Sequence, residues 1–224
     1  MLVAMRQIAE NLWLMRLPLR LLGAQIGRAV TIIRLGTGEL VIHTTAPFTP
    51  ADVDAICKLG TARWLVDATL FHDTCARTGR AMFPAVTYLA PEGFPVACEP
   101  LSAPPPQAWA GELDVLELKG MPSVREHVFF HRPSRTLIVA DLLFNFGPNA
   151  SAWTRFVFRW GAGIRRFPGI GRLFRLSIRD RDAFNDSVSK MMQWDFDHLV
   201  VGHGDIIETG ARAKLKAAFA PESA

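Results

Sequence analysis

A chain of 224 residues, 50% of them hydrophobic and with a mean hydropathy of +0.17, carries enough apolar material for one full core, which excludes intrinsic disorder. No run reaches the ~18 uninterrupted apolar residues of a membrane span, and the N-terminus lacks the charged, apolar and small-residue order of a signal peptide, so cytoplasmic residence is the default expectation. The net charge is only +4, but it is unevenly placed, with six arginines and no acid from Arg155 to Arg175.

In chain order, Asn11 to Leu17 and Ala29 to Leu35 read as strands, and Gly36-Thr37-Gly38 as a hairpin turn into a third strand, Glu39 to His43. A helix is expected from Thr49, with Pro50 at its first position, Asp52 and Asp54 in its first turn and Gly60 beyond its end. A strand over Arg63 to Thr69, a short helix from Cys75 to Met82 stopped by Pro84, and a strand from Ala85 to Ala90 follow. After a proline-rich loop, Pro91 to Pro106, the alternating Leu113 to Leu118 predicts a half-buried strand. Val128 to His131 and Thr136 to Ala140 predict a hairpin across the polar turn Arg132-Pro133-Ser134-Arg135. A helix from Asp180 to about Met192, a strand leading to His203 and a terminal amphipathic helix from Gly210 complete the pattern, which implies a layered α/β architecture. Cys57, Cys75 and Cys98 form no CxxC pair and are expected to be free thiols without a chemical role.

Two buried-strand patterns end in residues able to hold a metal. Thr136 to Ala140 delivers Asp141, and Leu199 to Gly202 delivers His203. Singly, each has a bland reading, with Asp141 capping the next turn and His203 a hydrogen-bonded core histidine. His43 is expected to bond the backbone of the next turn, His131 and Arg132 to be solvated in their hairpin, and His198 to lie on the surface. Glu126 and His127 are adjacent in a strand, so at most one of them is expected to face the site.

At this point the chain resembles the metallo-β-lactamase fold superfamily, through a divergent branch with a degenerate HxHxDH motif. The resemblance runs from about Leu12 to Glu208. It rests on the order of strands, on His72 after an early strand, and most specifically on Ala140-Asp141-Leu142-Leu143-Phe144 and Val201-Gly202-His203-Gly204. It implies an α/β fold, an αββα sandwich of two facing mixed sheets with the metal site at one edge. It also implies one domain over 1–224, in which 150–180 forms a basic, aromatic, lid-like insertion.

The departures are as informative. In place of HxHxDH stands Leu70-Phe71-His72-Asp73-Thr74-Cys75, with a single histidine. The usual GHTPGH-like turn is replaced by Gly120 to His127, which puts Ser123 near the ligand position and His127 on the position that is ordinarily not a ligand. His43 stands where an acid usually ends the early strand. The resemblance therefore implies a reduced site of His72, Asp141 and His203 holding one zinc or iron ion, or none. Three protein ligands with an open position suit catalytic zinc, and two histidines with one carboxylate also suit ferrous iron. If a metal binds, the expected activity is hydrolysis of an ester, amide or phosphoester bond in a small-molecule substrate, with His127 or Asp73 as proton shuttle. Arg155, Arg159, Arg165, Arg166 and Arg172 then form a cationic lid that favours an anionic or lipid-like substrate. The alternative is a catalytically inactive binding module whose basic aromatic segment meets an anionic ligand or a membrane surface. Nucleic acid is not expected as a partner, and the sequence leaves the oligomeric state open.

Overall fold

The computed structural model describes residues 5–219. β1 (Met5–Ala9) and β2 (Leu12–Leu17) are followed by a small hairpin, β3 (Arg20–Leu21) and β4 (Ala24–Gln25), and then by β5 (Arg28–Arg34) and β6 (Glu39–His43). α1 (Pro50–Cys57) begins with a reciprocal cap, in which Thr49 accepts from the Asp52 amide and the Asp52 carboxylate accepts from the Thr49 amide. β7 (Thr61–Val66), a 3-10 segment at Leu70–Cys75, α2 (Ala76–Ala81), β8 (Thr87–Ala90) and β9 (Glu99–Pro100) follow. These strands form a seven-stranded sheet in the order β1-β2-β5-β6-β7-β8-β9. It is antiparallel as far as β6 and parallel beyond, where connections such as α1 return the chain to the same edge.

The second sheet is built from β10 (Leu113–Glu117), β11 (His127–His131) and β12 (Thr136–Ile138). After β13 (Phe144–Asn145), α3 (Ala152–Phe156), α4 (Arg172–Ser177) and α5 (Arg181–Met191), the chain adds β14 (His198–Val200) parallel to β12. β15 (His203–Gly204) then pairs with β13, and α6 (Ala211–Phe219) closes the described chain.

Side-chain alternation sets the layers. Val41, Trp64 and Val66 of the large sheet meet Val115, Phe129, Ile138 and Val200 of the small one in a shared core. Their outward neighbours Ile42 and Leu65 pack with Ile56 of α1, while Val128, Phe130, Leu137 and Leu199 pack with Phe184 and Met191 of α5 and Leu215 of α6. The result is helices, sheet, sheet, helices, the αββα sandwich.

Some local expectations need correction. The strand expected over 63–69 ends at Val66, because Asp67 turns its carboxylate into a buried polar cluster and Thr69 caps the 3-10 segment through the Phe71 amide. β1 and the β3–β4 hairpin were not anticipated. His131 is fully buried rather than solvated, because it shares the inward parity of Phe129 on a strand flanked on both sides. His43 bonds no backbone. Both its ring nitrogens are buried without a hydrogen-bond partner, and its ring sits edge-on to Phe129 at 4.9 Å. His198 is half-buried, with Nδ1 against the Glu208 carbonyl.

Candidate metal centre

The ends of three segments converge where the two sheets meet. His72 comes from the 3-10 segment after β7, Asp141 lies just beyond β12, and His203 opens β15. All three are buried, and one possible ligand atom from each lies within 4.8 Å of the other two. His72 Nε2 is 3.4 Å from Asp141 Oδ2, and His203 Nε2 is 3.4 Å from Asp141 Oδ1. These separations exceed the usual hydrogen-bond range, and they match the edge of about 3.3 Å between two ligands bound tetrahedrally at about 2.05 Å. His72 Nε2 and Asp141 Oδ2 are buried without a hydrogen-bond partner. An ion between the three groups would engage both of these atoms, and two imidazoles with one carboxylate are a usual ligand set, so this donor set fits a metal ion.

The remaining atoms of the triad are tied down in the sense that ligation needs. His203 Nδ1 is 2.6 Å from the Gly27 carbonyl, which can only accept, so the proton sits on Nδ1 and the lone pair on Nε2. His72 Nδ1 is 3.3 Å from the Thr44 hydroxyl. That hydroxyl donates to Asp67, leaving its oxygen to accept from the imidazole. Asp67–Thr44–His72 is thus a hydroxyl-bridged form of the carboxylate–histidine support found behind many metal ligands.

Asp67 also accepts from the Thr45 amide (3.0 Å), the Thr45 hydroxyl (2.8 Å) and the Tyr88 hydroxyl (2.6 Å). The buried Arg28 donates to the Thr45 carbonyl (2.6 Å) and the His72 carbonyl (3.3 Å), with Asp67 at 3.7 Å. Arg28, Thr44 and Asp67 were not singled out in the sequence. Asp67 carries the same signal as Asp141, a carboxylate just past a buried strand, without a motif to mark it.

Electrostatics point the same way. Burial alone would raise the Asp141 carboxyl, but the charge of His72 and the contacts with His203 and His72 outweigh it and hold Asp141 well below the ordinary carboxylate range. Burial lowers the His72 pKa, opposed by Asp141 and reinforced by Arg28. Both effects leave the groups in the protonation states that bind metal.

The glycines around His203 have a packing reason. A Cβ on Gly202 would lie 2.5 Å from the Ala140 carbonyl oxygen, and one on Gly204, at φ +98°, would collide with the Asn145 backbone. Glycine at both positions lets the His203 strand approach the Asp141 segment closely. Phe144 stacks on the His203 ring at 5.7 Å and 10°.

The proposed proton shuttles do not join the triad. Asp73 is exposed on the 3-10 segment. His127 instead lines a separate cleft of about 870 Å³ with Glu117 and Arg125, because its backbone is anchored to the Ala68 carbonyl and its ring to the Arg125 carbonyl. Glu126 is fully buried and accepts from the amides of Ala140 (2.9 Å) and Asp141 (3.0 Å), which fixes the backbone that presents Asp141. Of the five arginines assigned to the lid, Arg155, Arg159 and Arg165 line a cleft of about 700 Å³ with Phe146, Phe156 and Phe167, while Arg166 and Arg172 are exposed outside it.

The buried titratable groups predict acid sensitivity. Burial lowers His43 and His131 from 6.5 to about 4. The stability they contribute is therefore complete above pH 6.5 and is lost as the pH falls toward 4, while the unfolded chain takes up protons that the folded chain refuses. Glu126 has the opposite sign. Burial and then the Asp141 charge raise it from 4.5 to about 8, so its contribution grows as the pH falls through 8 and is complete below 4.5. Two histidines against one carboxyl leave a net loss of about 1.4 kcal/mol per pH unit between 6.5 and 4.5. His72 and His127, also lowered, add to it. The urea midpoint of the metal-free protein is expected to fall over this interval, and a flat or rising midpoint would contradict the assignment.

No protein-family model matches the sequence, and comparison with curated proteins finds no match. Solved structures do match. A metallo-β-lactamase from Pontibacter korlensis aligns at TM-score 0.61 and 12% identity over 96% of this chain and 97% of that one. The metallo-β-lactamase FIM-1 from Pseudomonas aeruginosa in its mono-zinc form aligns at 0.61 and 12% over 97% of both chains. The metal-soaked Flv1 flavodiiron core from Synechocystis sp. PCC6803 aligns at 0.64 and 10% over 96% of this chain and 60% of that one. Two facing sheets in this strand order, aligned over nearly the whole chain, show that the protein has the metallo-β-lactamase fold.

Proposed function

We propose that this protein is a metal-dependent hydrolase with a single ion held by His72, Asp141 and His203. The observation that carries the reading is the convergence of three buried ligand atoms, two of which, His72 Nε2 and Asp141 Oδ2, have no hydrogen-bond partner. A zinc or ferrous ion bound there would supply Lewis acidity and lower the pKa of a coordinated water toward neutrality. The chain's own part is positional. Gly27 and Thr44 orient the two imidazoles, Glu126 holds the backbone of Asp141, and Phe144 covers His203. The substrate is a small ester, amide or phosphoester, and the arginines beyond β13 favour one with an anionic or lipid-like group. The basic segment 150–180, read as a lid, lies in the chain between Asp141 and His203.

The test is metal content by elemental mass spectrometry on protein purified without a tag or chelator, beside a His203→Ala variant. Near-stoichiometric zinc or iron that falls in the variant, followed by turnover of aryl ester or aryl phosphodiester substrates, is the expected result. Absence of metal in both after incubation with zinc, iron and manganese would overturn the reading. A second reading, a catalytically silent binding module, is favoured by one observation: the segment at the HxHxDH position keeps a single histidine.

A further inference from the structure

From Leu142 to Arg179 the chain holds seven arginines and no aspartate or glutamate. The same stretch exposes large apolar side chains. Trp153, Phe156 and Trp160 are 52%, 54% and 70% exposed, spaced three and four residues apart along α3 and the single π-helical turn that continues it (Val157–Gly161). On α4, Leu173 and Leu176 are likewise exposed. The inner face of the same segment is anchored, since Phe158 is buried against Phe146 at 4.5 Å. The outward aromatics are therefore presented by a packed element and are not frayed from it.

The β3–β4 hairpin extends this ridge. The Trp153 indole donates to the Leu22 carbonyl at 3.1 Å, and its ring stacks on Phe156 at 5.7 Å, so hairpin tip and helix form one surface. Leu22 is 78% exposed and has φ +50°, beside Gly23 at φ +77°. Such a turn ordinarily takes Asn or Gly at both positions. A leucine there costs backbone energy and hides no apolar surface within this chain. Leu22, Trp153 and Phe156 thus form one exposed apolar patch, and a patch of this kind marks an interaction surface.

We propose that this ridge docks the protein on anionic phospholipid membranes. Tryptophan, phenylalanine and leucine would enter the interface, while Arg155 and Arg159 beside them, with the cleft they line, would meet headgroup phosphates. The aliphatic tips Leu21, Leu22, Leu173 and Leu176 favour a bilayer over single-stranded nucleic acid, because they offer bases nothing to stack on. A second copy meeting the same face would set arginines against arginines, with no acid between positions 142 and 179 to offset them. Phe144 touches both Phe158 (5.1 Å) and His203 (5.7 Å), so the buried side of the ridge packs toward the candidate metal centre. The docking itself does not depend on a bound metal.

The experiment is co-sedimentation of the full chain with vesicles of phosphatidylcholine alone and of phosphatidylcholine with phosphatidylglycerol, read together with tryptophan fluorescence. Binding to the anionic vesicles, weakened by added salt, is expected. Arg155→Gln and Arg159→Gln should each weaken it about fivefold, and the double variant Trp153→Ala/Trp160→Ala by on the order of tenfold or more. Leu22→Asn keeps the turn, since Asn tolerates positive φ, so it should reduce binding with no loss of thermal stability. Failure to bind anionic vesicles, equal and salt-insensitive binding to phosphatidylcholine alone, or full binding by all these variants overturns the proposal. So does sedimentation velocity showing that the tryptophan variant converts a dimer to a monomer.

Discussion

Replacing Asp141 by alanine is expected to weaken zinc or iron binding by more than about 100-fold, beyond the 10- to 100-fold loss typical of changes to residues that only support a ligand. Asp141 is the hinge of the site, each of its oxygens lying 3.4 Å from a different imidazole. Without it, two imidazoles remain and the anionic ligand between them is lost, which leaves a weak site for a divalent ion. The check is thermal unfolding with and without added zinc. At about 1,000 times the dissociation constant, zinc should add about 4 kcal/mol to the stability of the wild type. In the alanine variant, with binding at least 100-fold weaker, the increment at the same concentration should fall to about 1.4 kcal/mol or less. Metal retained by the variant with an undiminished increment would remove Asp141 from the ligand set. Supporting residues should give smaller effects in the same assay, and Thr44→Val, which breaks the bridge from Asp67 to His72, is expected within the 10- to 100-fold range.

The second large effect concerns folding. Arg28 is 3% exposed and Asp67 is fully buried, and their charges are balanced by each other and by the hydroxyls and amide around them. Arg28→Met keeps the side-chain volume but leaves Asp67 as a buried carboxylate without its cation, at an expected cost of about 3 to 5 kcal/mol. Arg28 also holds the carbonyls of Thr45 and His72, so the same variant should lower metal affinity. Adding Asp67→Asn should restore part of the stability, because it removes the stranded charge, and a double-mutant cycle in urea measures the coupling. A cost below about 1 kcal/mol for Arg28→Met would mean that water or a neighbouring group replaces the cation, and the proposed support of His72 would fall with it.

The chain wrote its architecture openly where periodicity and capping agree. Thr49-Pro50 with Asp52 set the start of α1, and Leu113 to Glu117 alternated as it packs. The segments around Asp141 and His203 stood out because a buried strand ended in a metal-capable residue, and the structure brings them within a bond's reach of one ion. What local pattern could not show were contacts between segments far apart in sequence. His131 looked solvated beside a polar turn, but it is inward because β10 and β12 flank its strand. The resemblance offered His127 as a proton shuttle, but its ring lines another cleft, while the adjacent Glu126 bonds the amides of Ala140 and Asp141, in keeping with the expectation that at most one of the two faces the site.

By itself the sequence determined the layered order of elements, the free thiols and the basic aromatic segment, and it marked Asp141 and His203 as strand-end groups and His72 through the family resemblance, because each is a property of a short window. Tertiary structure alone decided that Asp67 and Thr44 stand behind His72, that Arg28 is their buried cation, that Gly27 sets the proton on His203, and that Leu22 joins Trp153 in one exposed ridge. The spans involved, 176 residues from Gly27 to His203 and 131 from Leu22 to Trp153, lie beyond any local signal. Such pairs exist only because burying the apolar faces of two sheets against each other brings distant segments to the same edge.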